Sequence, residues 1–173
     1  MASQYPGWLA GNKITAQRIS DSLPQFVYCT TNLDRTSTTA LADDPVLQFP
    51  VVANAIYIVE FTLFLSSWVA NNGGVKTIWS APAASDGLKG VHGSGSTATS
   101  DNNITMRSGC HGFATVVTYG GRSSTTNLSH VHESGTLFTT NAGTLALQWA
   151  QTTSSASFCR RGMGSWGRLT RVG

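Results

Sequence analysis

Ala55-Ile56-Tyr57-Ile58-Val59-Glu60-Phe61-Thr62-Leu63-Phe64-Leu65-Ser66-Ser67 is the stretch that decides the fold. Ala55, Tyr57, Val59, Phe61, Leu63 and Leu65 repeat at a period of two, which makes one wholly apolar strand face. The opposite face reads Ile56, Ile58, Glu60, Thr62, Phe64 and Ser66. Half of it is apolar, which a strand facing water would not carry. The pattern predicts a central strand whose back meets another subunit, with Ile56, Ile58 and Phe64 as trimer-interface residues.

Working outward, further strands are expected at Val46–Val51, Val75–Ala81, Gly112–Tyr119, Asn127–Thr139, Gly143–Gln151, Ala156–Arg160 and Ser165–Val172. The last alternates poorly because Gly167 interrupts it. Between them lie turn-rich segments: Asn71-Asn72-Gly73-Gly74, Ser85-Asp86-Gly87 and the long Gly90–Asn103 stretch. Asp43-Asp44 before Pro45 also reads as a turn. No helical period appears after residue 25 and no internal repeat is present, so the fold class is all-β, a jelly-roll sandwich.

Residues 1–30 differ from the body at 31–173 and read as an anchoring arm. Thr15 caps a short helix there, with Ile19 and Leu23 on one face and Pro24 ending it. So short a helix does not stand alone in water. Trp8, Leu9, Ile14, Ile19 and Leu23 are the side chains that would dock it onto a particle.

Charged residues are only 11% of the chain, less than half the usual share. Ser, Thr, Asn and Gly fill the gap, as in surface-exposed β-proteins. From Asn102 onward six arginines (Arg107, Arg122, Arg160, Arg161, Arg168, Arg171) face a single acid, Glu133. No aromatic–basic repeat or nucleic-acid motif accompanies them, so no nucleic-acid partner is expected; a weakly basic face toward an acidic partner or a neighbouring subunit is. Cys29, Cys110 and Cys159 are odd in number and far apart, which predicts buried free thiols. The N-terminus lacks the layout of a signal peptide. The longest apolar stretch contains Glu60 and falls short of the roughly 20 residues of a membrane span, so no membrane insertion is expected.

Catalytic motifs are missing: there is no G-x-S-x-G elbow, phosphate loop, H-E-x-x-H or Rossmann glycine pattern. No enzyme activity and no cofactor are expected. His130-Val131-His132 places two imidazoles on one strand face, a weak metal candidate without a third ligand close in sequence. Cys110 and His111 would point to opposite faces. Trp149 falls in a core register, while Trp68 and Trp79 flank a loop and are the freer candidates for stacking on a sugar.

Several segments carry a resemblance. Pro6-Gly7-Trp8-x-Ala10-Gly11-x-x-Ile14-Thr15-Ala16, Leu23-Pro24-Gln25, Leu47-x-x-Pro50-Val51-x-Ala53-Asn54-Ala55-x-Tyr57 and His111-Gly112-Phe113 are among them. With Ala142-Gly143-Thr144-Leu145-x-Leu147-Gln148-Trp149-Ala150-Gln151 and Gly164-Ser165-Trp166-x-Arg168-Leu169-Thr170-Arg171, they resemble short virion proteins of actinobacterial phages. A more distant likeness, through Tyr57 and Ser165-Trp166, is to the trimeric jelly roll of the tumour-necrosis-factor and complement-globular type. The resemblance implies a structural virion protein, a capsid decoration protein or short head fibre, assembled in the host cytoplasm. Its implied partners are two further copies of itself and the major capsid protein or a tail protein. A tail fibre or minor tail protein binding a host surface glycan is the alternative; a carbohydrate-active enzyme would need more carboxylates.

Overall fold

The computed structural model describes residues 11, 13–16, 19, 23–68, 73–98 and 105–173. Its strands are β1 (Gln25–Tyr28), β2 (Leu33–Arg35), β3 (Ala42–Val51), β4 (Ala55–Ser67), β5 (Gly74–Ser80) and β6 (Asp86–Ser94). There follow β7 (Met106–Gly112), β8 (Val117–Gly120), β9 (Ser129–Thr139), β10 (Gly143–Gln151), β11 (Cys159–Arg161) and β12 (Trp166–Arg171). A large antiparallel sheet runs β1-β12-β4-β9-β6-β7, with β11 alongside the end of β4 and β2 outside it. The small sheet runs β3-β10-β5-β8. From β3 onward nearly every connection passes from one sheet to the other, giving an antiparallel sandwich of the jelly-roll kind, as the alternation predicts.

The core lies between the sheets. β4 contributes the apolar face expected of it, and Leu47, Phe49, Leu145, Leu147, Trp149 and Trp79 face it from the small sheet. Phe61 packs edge-on to Trp79 with ring centroids 5.6 Å apart. Gly167, which spoils the alternation of β12, lies beneath this cluster. A Cβ there would meet the rings of Phe49 and Phe61 at 3.0 Å, so the core requires its small size.

Several boundaries differ from the sequence reading. Asp43 and Asp44 lie inside β3, not before it. The ladder jumps from Ala146 opposite Gln48 to Gln148 opposite Asp43, leaving residues 44–47 as a bulge. Asp44 Oδ1 accepts from the Val46 and Leu47 amides at 2.9 and 3.1 Å, so the turn chemistry is real but folded into a strand. Ser85–Gly87 and Gly90–Asn103 are not all loop either, because β6 runs through them. The expected strand at Gly112–Tyr119 divides into the end of β7, a turn, and β8. Gln25–Tyr28, counted with the arm, is a strand of the large sheet paired with β12. Most of the expected N-terminal helix lies outside the described residues; within them, the Ile19 amide donates to the Thr15 carbonyl at 3.1 Å.

Three of the six arginines that follow Asn102 are paired with acids of the same chain. Arg160 pairs with Asp34, Arg161 with Asp44 and Arg168 with Glu60, each acid coming from the first half of the sequence. Arg107 donates to the Thr118 carbonyl. Among the described residues, no helix is long and apolar enough to cross a membrane.

Candidate interaction face on the large sheet

The titratable groups that point inward serve the sandwich. Glu133 of β9 is wholly buried and accepts four hydrogen bonds. Thr77 Oγ1 and Tyr119 OH donate to Oε1 at 2.5 and 2.8 Å, and Trp79 Nε1 and Lys89 Nζ to Oε2 at 2.7 and 3.2 Å. Three of these donors belong to the small sheet, so one carboxylate ties the two layers together. Burial pushes the Lys89 ammonium below its usual range, opposed by Glu133. Burial, and Glu133 beside it, push the Tyr119 hydroxyl up. With both carboxylate oxygens held by donors of the same chain, the cage is a buried hydrogen-bond network that joins the two sheets.

A second inter-sheet link centres on Asp44. Trp149 Nε1 and Arg161 Nε donate to its Oδ2 at 2.9 and 3.0 Å, and Arg161 also reaches the Thr31 carbonyl at 2.6 Å. Burial alone would raise the Asp44 carboxyl. The Val46 amide, the Trp149 indole and Arg161 outweigh it and hold the group below its usual value. Arg35 lies over the Trp149 ring at 4.1 Å and donates to the Trp149 and Ala42 carbonyls.

The outer face of the large sheet is organised in rows by strand register. Tyr28, Trp166, Thr62, His132, His92 and Ser108 form one row across six strands. Beside it run Phe26, Arg168, Glu60, Ser134, Gly90 and Cys110. The next holds Thr170, Ile58, Thr136 and Leu88, and beyond it Ile56 pairs with Phe138. Phe26 is 64% exposed, Tyr28 60% and Ile58 41%; Leu88 and Phe138 are exposed as well. Apolar side chains gathered on one sheet face are the ordinary mark of an interaction surface.

Ile56 and Ile58 therefore share a patch with Leu88 and Phe138. Phe64 is on the same face but at the other end of β4, beyond Glu60 and Thr62, with its ring 5.9 Å from that of His130. Ile14, Ile19 and Leu23 are exposed, while Trp8 and Leu9 lie outside the described residues. His130 and His132 share a face as expected. Among the described residues, no three His, Cys, Asp or Glu side chains form a metal cage. Cys110 and His111 take opposite sides of β7. Cys29 and Cys159 are buried free thiols, but Cys110 is exposed, because it sits on the outer face of an edge strand. Trp79 is not free to stack on a sugar: it is wholly buried on Glu133. Trp149 is core, and Trp68 is exposed beside Phe158.

A hollow of about 150 Å³ lies among Ser94, Met106, Arg122, Ser129 and His130. Both of its serines donate to the Gly120 carbonyl. The sequence reading missed Phe26, Tyr28, Leu88 and Phe138 as members of the face. Only strand register, fixed by long-range pairing, brings them beside Ile58.

No family model matches the chain, and no curated protein does. Among solved structures it is similar to a chain of the structure of infectious bursal disease virus Gx strain, at 9% identity and a TM-score of 0.20. The match covers 87% of this chain and 41% of that one, so this chain spans about two fifths of its length. A TM-score of 0.20 does not establish a common fold.

Proposed function

We propose that the chain is a structural protein of a bacteriophage particle, a capsid decoration protein or short head fibre. Three copies associate through the outer face of the large sheet, and the N-terminal arm attaches the trimer to the shell. The observation that carries this reading is the exposed apolar surface of Phe26, Tyr28, Ile58, Leu88 and Phe138 on a sheet whose other face already holds the core. Exposed Ile14, Ile19 and Leu23 supply apolar contacts for the arm, and several arms on one particle combine modest affinities through effective concentration.

Light scattering tests the assembly. The expected mass is three times 18.3 kDa, about 55 kDa. Ile58→Lys at an exposed position leaves folding intact and returns the mass to that of one chain. A monomeric wild type sinks the reading. The aromatic ends of two adjacent rows, Tyr28 and Trp166 in one and Phe26 in the other, support the second reading, a tail fibre or minor tail protein that stacks against a host glycan. Particle localisation by cryo-EM separates the two: copies in the hundreds mean capsid, a handful means tail.

A further inference from the structure

The geometry points to a two-imidazole site for a divalent transition-metal ion on the outer face, formed by His92 of β6 and His132 of β9. The two residues are direct register partners on adjacent antiparallel strands. Directly opposed residues project to the same side with Cβ atoms about 4.5–5.5 Å apart, a separation one metal ion can bridge through two imidazole nitrogens.

Local contacts single out this pair. His132 Nδ1 stands 3.3 Å from Thr62 Oγ1, a hydrogen bond that orients the ring and leaves Nε2 as the coordinating nitrogen. His92 is exposed and its other register partner is the small Ser108, so nothing bulky in that row crowds its ring. His130, though only two residues from His132, packs its ring against Phe64 instead. Beside the His130–His132 pair suggested by the sequence, register thus supplies a cross-strand pair that sequence spacing does not reveal.

The chemistry selects the ion. Two imidazole nitrogens, with Glu60 of the adjacent row engaged by Arg168, suit borderline transition metals and not Mg²⁺ or Ca²⁺, which take oxygen ligands. With water completing an open coordination sphere, Ni²⁺ and Cu²⁺ fit better than Zn²⁺, whose protein sites use three or four side chains. The site needs no second copy of the chain and stands or falls separately from the trimer.

Calorimetric titration of untagged protein with Ni²⁺, with Mg²⁺ as the control, tests it. Saturable binding of one Ni²⁺ per chain is expected, with no response to Mg²⁺. Even outer-shell partners are worth about ten- to a hundredfold in metal affinity, so His92→Ala and His132→Ala should each weaken binding by at least about tenfold. His130→Ala should leave it within about threefold. In wild-type protein, paramagnetic broadening by Ni²⁺ should reach the imidazole resonances of His92 and His132 before those of His130 and His111. The proposal is overturned by an absence of saturable binding, by undiminished binding in His92→Ala, or by His130→Ala weakening it as much as His132→Ala does.

Discussion

On the inner face of the large sheet a carboxylate and an ammonium, Glu133 and Lys89, are both completely buried. On its outer face Phe26, Tyr28 and Ile58 stand in water. A sheet that buries charge on one face and exposes apolar side chains on the other reverses the usual order, and the reversal is informative because only one side is compensated. Inside, Glu133 meets four donors supplied by the same chain. Outside, Phe26, Tyr28, Ile58, Leu88 and Phe138 stay exposed among the described residues. The inner face is satisfied within one copy, and the outer face is where the proposed assembly would act.

The largest expected effect comes from breaking the inner face. Glu133→Ala leaves the Lys89 ammonium buried without a counter-charge and strands the donors of Thr77, Trp79 and Tyr119. Removing one member of a buried pair costs about 3–5 kcal/mol, which the urea midpoint at neutral pH will register. A loss below about 1 kcal/mol would show that water reaches the cage, and the contrast between the faces would fail.

Asp44 gives a smaller, pH-dependent version of the same test. Asp44→Asn should cost about 1.5–3 kcal/mol, because Arg161 keeps the Thr31 carbonyl as a partner whereas Lys89 has no such reserve. The folded carboxyl titrates below its ordinary value of 3.8. Its contribution is therefore present above the unfolded value and is lost as pH falls through the depressed one. Urea midpoints of wild type and Asp44→Asn should differ at neutral pH and draw together as the pH falls below about 4. A gap that stays constant down the acid limb would remove Asp44 as the titrating group.

The mildest probe leaves stability untouched. Burial pushes the Cys29 thiol up to about 11 and Cys159 up to about 12, so neither offers thiolate at neutral pH. Cys110 is exposed. A thiol reagent should modify Cys110 alone in native protein and all three cysteines in denaturant. Native labelling of Cys159 would mean that the core opens at β11.

What the sequence revealed of this sandwich depended on how plainly each strand alternates. β4 could be read from end to end, because an unbroken apolar face needs no knowledge of its neighbours. β6 could not, because Gly87, Gly90 and Gly93 looked like turns. In fact a Cβ at Gly93 would meet Val131 and Tyr119 at 2.8–2.9 Å, so close packing and not turning requires that glycine. The error at β6 hid His92, and with it the cross-strand partner of His132. Asp44 was recognised for its turn chemistry but not for its burial, because Arg161 and Trp149 lie more than a hundred residues away in sequence. Ile56 and Ile58 were assigned to the outer face from alternation alone, whereas Phe26 and Tyr28 join them only through pairing with β12.

The place of β12 between β1 and β4 also bears on synthesis. While the chain is emerging from a ribosome, β1 has no strand to pair with. The centre of β4 keeps an open edge until β12 arrives, and its far end waits on β11. Until β12 is made, the most apolar strand keeps unpaired amides and carbonyls, a template for pairing with other nascent chains. Closure of the large sheet waits on β12, and a product that stops before Trp166 leaves the centre of its longest strand unpaired along one side.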